Sequence, residues 1–119
     1  MASERVTIRR VYEPASPDDG ERVLVDRLWP RGISKAELSG VRWMKEVAPS
    51  ADLRRWFGHD PGRWREFRAR YDAELKANPA FDELAEMARK HRLTLLYAAR
   101  NETHNDAVVL AELLNKQAA

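Results

Sequence analysis

A chain of 119 residues, 44% hydrophobic and 34% charged, is sized for one globular domain with a single core and is neither disordered nor fibrous. Twenty-one Lys and Arg stand against 19 Asp and Glu, a net charge of +2 that gives little footing for nucleic acid. With no cysteine, disulfides, zinc–thiolate sites, iron–sulfur clusters and thiol nucleophiles are excluded, and with them rhodanese-type sulfur transfer and cysteine-phosphatase chemistry.

Val6-Thr7-Ile8-Arg9-Arg10-Val11 is β-branched and alternates with short period, which predicts a first strand. Glu13 to Gly20 is a loop in which Ser16-Pro17-Asp18-Asp19-Gly20 has the makings of one helical turn. Arg22-Val23-Leu24-Val25-Asp26 is an apolar run ending in charge, as expected of a buried central strand. Leu28-Trp29-Pro30-Arg31-Gly32 then breaks the backbone. Ser34 and Glu37 form a capping box that predicts a short helix, stopped by Ser39-Gly40. Val41, Trp43 and Val47 alternate with polar residues as an extended segment would.

Ser50 opens a helix from Ala51 to Phe57, closed by Gly58. Asp60-Pro61 starts the next, whose Trp64, Phe67, Tyr71 and Leu75 form one apolar stripe. Asn78-Pro79 starts a third helix, with Phe81, Leu84, Met87 and Ala88 on one face. Leu93 to Ala98 is the strongest strand signal in the chain. Thr103-His104-Asn105-Asp106 reads as a Thr-x-x-Asp cap for a last helix to about Asn115, with residues 116–119 expected to fray.

The stretch from Asp26 to Leu93 is far longer than a hairpin needs, so the second and third strands are expected to be parallel neighbours. The predicted fold is one α/β domain over residues 1–119, a short, mostly parallel sheet of about three strands surrounded by helices. The direction of the first strand is left open. No window approaches the ~20 apolar residues of a membrane helix. Met1-Ala2-Ser3-Glu4-Arg5 leads into no apolar run of signal-peptide length, and the expected location is cytoplasmic, away from membranes.

Ligands of parallel sheets bind beyond the carboxyl ends of the strands. Two polar segments fall there, Asp26 to Gly32 and Tyr97 to Asn105. Their meeting would join guanidinium groups, aromatic walls, an imidazole and the free amides of a helix start, a set suited to phosphate or carboxylate. Arg27, Arg31 and Arg100 are the candidate anion contacts, with Trp29 and Tyr97 as walls and Asn105 beside them. Asp26 and His104 are the candidate proton carriers, the catalytic residues if there is catalysis. Trp56-Phe57-Gly58-His59-Asp60-Pro61 reads as a helix end, a turn and a cap. His59 is the residue in it that the turn does not explain, and it joins the ligand-binding candidates. The histidines lack the paired spacing of a metal site, so no metal is assigned and no cofactor is called for.

Val25-Asp26-Arg27-Leu28-Trp29-Pro30-Arg31-Gly32, Ala48-Pro49-Ser50 and Arg55-Trp56-Phe57-Gly58-His59-Asp60-Pro61 together resemble the YeaO-like bacterial domain of unknown function. Leu95-Leu96-Tyr97-Ala98-Ala99-Arg100 and His104-Asn105 through Val108-Val109-Leu110 extend the resemblance over nearly the whole chain. It implies a small cytosolic α/β fold and brings no activity with it. Related domains carry a cysteine near the end of the last strand, where this chain has Tyr97 and His104-Asn105, so thiol chemistry does not carry across. Two functions stand at this point. One is a small-anion site at the strand ends, with or without catalysis. The other is a non-catalytic interaction module, binding nucleic acid through Arg54 to Arg70 or a protein through exposed tryptophans. Oligomeric state is not legible in the sequence.

Overall fold

The computed structural model describes residues 5–118. Its centre is β4 (Leu93–Tyr97), buried at all five positions. An uninterrupted Leu-Thr-Leu-Leu-Tyr run has no polar face to offer water, so it needs cover above and below and a strand on each side. β1 (Val6–Arg10) lies along one side and β2 (Glu21–Leu24) along the other, and β3 (Arg42–Trp43) adds to the far edge of β2. The sheet order is β1-β4-β2-β3 and every pairing is parallel.

The parallel neighbours β2 and β4 are as the sequence predicts, and β1, whose direction the sequence left open, is parallel too. The sheet has four strands rather than about three. The added strand is only Arg42 and Trp43, because Lys45–Val47 coils into a 3-10 helix where an extended run to Val47 was expected.

Alternation along the strands sorts side chains between two unlike faces. Val6, Val23, Val25, Leu93, Leu95 and Tyr97 point to the helical side. There they pack on α1 (Ala51–Phe57), α2 (Trp64–Lys76), α3 (Pro79–Lys90) and α4 (Asp106–Ala118). Val11, Leu24, Leu38 and Leu96 form a smaller cluster on the other side, covered by Trp29, Ile33 and Val41 from loops. The helices therefore do not surround the sheet. They cover one face, and irregular chain covers the other.

The caps follow the sequence with two exceptions. Ser50 accepts from the Leu53 amide, Asp60 from that of Gly62 and Asn78 from that of Ala80, and Gly58 closes α1 in the left-handed region. Ser34 and Glu37 do make both bonds of a capping box, at 3.2 Å each, but only turns follow before Gly40. At α4 the cap is Asn105, whose Oδ1 accepts from the Val108 amide at 3.0 Å, and not Thr103. Thr103 is held back in the preceding turn, where Asn101 Oδ1 accepts from its amide, its hydroxyl and the His104 amide. α4 carries on through Lys116 and Gln117 to Ala118; Ala119 lies outside the described residues.

Side chains finish what the backbone leaves open. The Asn115 amide takes both backbone groups of Val6, accepting from its N–H at 3.0 Å and donating to its carbonyl at 2.9 Å. It thus covers part of the free edge of β1 in place of a further strand.

Gly20 leads into β2 at φ +66° and ψ −139°, with the Arg92 carbonyl oxygen 2.2 Å from where a Cβ would sit. Gly40 shares a positive φ but faces open space. Gly20→Ala should therefore destabilise the fold by about 2 kcal/mol or more, and Gly40→Ala by about 1 kcal/mol. Urea unfolding of both variants measures the difference. Equal losses would show that the approach to Arg92 is not tight.

Candidate functional site

Parallel strands put the carboxyl ends of β2 and β4 on one edge, and a cleft of about 700 Å³ opens there. Its walls come from the loop after β2, the loop after β4, and the starts or ends of α1 and α4. The loop after β2 is pinned by three aromatic donors. Trp43 Nε1 donates to the Asp26 carbonyl at 2.7 Å, Trp29 Nε1 to that of Ile33 at 2.6 Å, and the Tyr12 hydroxyl to that of Arg31 at 3.0 Å. The loop after β4 is held by Arg10, whose guanidinium donates to the Ala98 and Ala99 carbonyls at 3.1 Å each. Both loops present their side chains from a fixed backbone, as a binding site requires.

Asp26 stands where β2 and β4 part. The Val25 amide still donates to Leu96 across the sheet at 3.2 Å. One step on, the Ala98 amide donates instead to Asp26 Oδ2 at 2.9 Å, so a carboxylate takes the place of the next peptide carbonyl. Burial raises the Asp26 pKa, against the lowering effect of that amide. Asp106, the first residue of α4, lines the same cleft. Loss of water, and then the charge of Asp26, push its pKa from the ordinary 3.8 up to about 7, with backbone amides and Arg54 acting the other way. At neutral pH Asp106 therefore still keeps its proton in about half of the molecules.

Arg54 of α1 lines the cleft beside them. Its Nε is fully buried and has no hydrogen-bond acceptor. Phe57 and Phe67 stack at 4.3 Å between ring centroids to make an apolar wall. His104 sets its ring edge-on to Trp64 at 5.0 Å, with Nδ1 2.9 Å from the Thr103 hydroxyl. His59 follows the left-handed Gly58 with a φ of +56° of its own. A non-glycine residue in that region is strained, and His59 holds it at the cleft wall.

Seven of the nine candidates meet in the cleft: Asp26, Arg27, Trp29, Arg31, His59, His104 and Asn105. Asn105 lends its surface only, since its amide caps α4 and donates to the Asn101 carbonyl at 2.9 Å. Tyr97 is not a wall. It has the parity of Leu93 and Leu95, so its ring enters the helix-side core and is 2% exposed. Arg100 is exposed on a bend outside the lining, because the chain turns away after Ala99.

Sequence reasoning missed Asp106, Arg54 and Tyr12. Asp106 reads in the sequence as the end of a cap motif and Arg54 as the start of the Arg54 to Arg70 charged stretch. The available signal was that both sit one position from a residue of the apolar face, Ala107 and Leu53. Among the described residues no three His, Asp or Glu side chains gather as a metal would require, and no helix is long and apolar enough to cross a membrane.

Comparison with known proteins places this chain in a family. A family model described as the inactive DUF488-N3 subclade, DUF488-N3i, matches residues 5–119. The uncharacterized protein Rv3073c of Mycobacterium tuberculosis is 47% identical over 111 residues, which is 93% of this chain and 94% of that protein. The uncharacterized protein YeaO of Escherichia coli is 47% identical over 110 residues, 92% of this chain and 96% of its own. No solved structure matches the chain. Matched over residues 5–119 by the model and across nine-tenths of its length by these relatives, the chain belongs to the DUF488-N3i family, the YeaO-like domain that its sequence motifs resemble.

Proposed function

We propose that the cleft binds a small anionic ligand, a phosphate or a carboxylate, through Arg27, Arg31 and Arg54. The observation that carries this reading is the contrast between these arginines and their neighbours. Arg55 pairs with Asp52, Arg63 with Asp60, Arg68 with Glu112 and Arg70 with Glu66. Arg63 and Arg70 also lie over the Trp56 ring, and Arg68 over Trp64. Arg27, Arg31 and Arg54 make no salt bridge among the described residues, Arg54 acting on Asp106 without bridging to it, and all three line the cleft. Guanidinium groups left unpaired around a concave site favour an anion with oxygens to share.

The same contrast weakens a nucleic-acid track along residues 54–70, because its charges are already matched. Trp29 on one side and the Phe57–Phe67 stack on the other give the ligand an apolar enclosure. His59 and His104 supply ring nitrogens on the walls, and Asp26 and His104 are the groups positioned to exchange a proton with it. The description of the subclade as inactive favours retention of a ligand over its turnover.

Removing one charge-assisted contact costs about 1.5–3 kcal/mol, which is tenfold or more in Kd. Arg27→Ala and Arg31→Ala should each weaken phosphate or carboxylate binding by at least that factor while the melting temperature of the free protein holds. Thermal shift against ligand concentration reads both quantities. Undiminished binding in both variants would remove these arginines from the site.

The carboxylate pair gives a pH prediction. Below about pH 4 Asp106 is protonated whether folded or not. Between 3.8 and about 7 the unfolded chain releases a proton that the folded protein keeps, so stability falls as pH rises and levels off above that range. Asp106→Asn should remove this slope and gain about 2 kcal/mol at pH 8, read by urea unfolding across pH. A variant less stable than the parent at pH 8 would contradict it.

A further inference from the structure

We infer that the ligand is bipolar: the anionic group on the arginines is joined to an amino group that rests on Asp26 and Asp106. This deepens the anion-binding reading and depends on it. The first ground is how differently this chain treats a carboxylate with a structural task. Asp19 is 3% exposed, and it is flanked by Arg9 at 3.2 Å and Arg22 at 3.6 Å, with the Ser16 amide donating to it at 2.9 Å. Asp26 and Asp106 stand partly exposed beside the cleft, and among the described residues neither makes a salt bridge with a Lys, Arg or His, Arg54 acting on Asp106 without bridging to it. Asp26 keeps only the Ala98 amide on Oδ2.

The second ground is electrostatic. A phosphate or carboxylate entering alone would be attracted by Arg27, Arg31 and Arg54 and repelled by the carboxylates close by. An ammonium on the same molecule turns that repulsion into attraction and adds a charged donor to carboxylates that otherwise hold backbone amides. The third ground is size. A cleft of about 700 Å³ is in the range of organic ligands and far larger than a bare oxyanion fills. The Arg54 Nε is buried without an acceptor, and the two carboxyls hold backbone amides but no salt bridge. Unpaired charges of both signs in one enclosure call for a ligand that carries both.

The test uses two matched pairs of probes on the intact protein at low salt: 2-aminoethyl phosphate with ethyl phosphate, and β-alanine with propionate. Calorimetric titration should show the amino member of at least one pair binding tenfold or more tightly than its partner. Asp26→Asn and Asp106→Asn should each shrink that preference while binding of the plain anion is kept or improved. Asn at position 26 retains a carbonyl oxygen for the Ala98 amide, so folding is preserved. Equal affinity within both pairs, with binding weakened by Arg31→Ala, would overturn the bipolar ligand and leave the anion site standing. Failure of all four probes to bind, or binding indifferent to Arg31→Ala, would overturn both.

Discussion

β4 is hydrogen-bonded on both sides to strands that run in its own direction. Parallel neighbours cannot be joined by tight turns, so the chain must travel from one end of the sheet to the other between them. Residues 44–92 make the longest such journey, and they supply α1, α2 and α3 on the way. Every strand then ends at the same edge, and the segments leaving β2 and β4 emerge there side by side. Asp26 follows from this geometry. As the strands part, the Ala98 amide loses its backbone acceptor, and the Asp26 carboxylate takes the bond. A side chain that completes the sheet is thereby fixed at the floor of the cleft.

The remainder of the site is fitted around that point. Asp106 starts α4, and its carboxylate there suits the positive end of a helix. Lost hydration and the nearness of Asp26 outweigh that benefit. Perturbed carboxyls in a cleft are candidates for a functional site, as against the ion-pair networks that perturb structural carboxyls. The distinction has local support, since Asp19 is buried more deeply than either and is matched by arginines. Backbone strain at His59 lies at the same cleft, beside the end of α1. Cost in stability is thus concentrated where the arginines are unmatched.

Legibility in the sequence divided along physical lines. Elements declared by local chemistry were readable: the caps at Ser50, Asp60 and Asn78, the stripe from Trp64 to Leu75, and the apolar run of β4. β3 was readable as an extended segment around Trp43 but not as a strand of the sheet, because its two residues pair with β2 only through the tertiary fold. Ser34 and Glu37 formed their box without a helix, since Gly40 leaves too few residues to propagate one. Tyr97 was misplaced because a strand buried on both faces shows no alternation from which to read parity. The floor of the site was half readable. Asp26 announced itself as a charge ending an apolar strand, whereas Asp106 and Arg54 looked like ordinary helix-terminal and surface charges. Only the fold brings them to one place.

The most direct measurement is the pH titration of the aspartate side-chain carboxyl carbons by NMR, with Asp26 and Asp106 assigned through their Asn variants. Two carboxyls desolvated together and close enough to feel each other's charge take up their protons separately. The predicted result is one proton bound with an apparent midpoint near about 7 and shared unevenly between the two signals. If both carboxyls titrate together in the usual carboxylate range near 3.8, the cleft floor is wet or paired, and the site built on it does not stand.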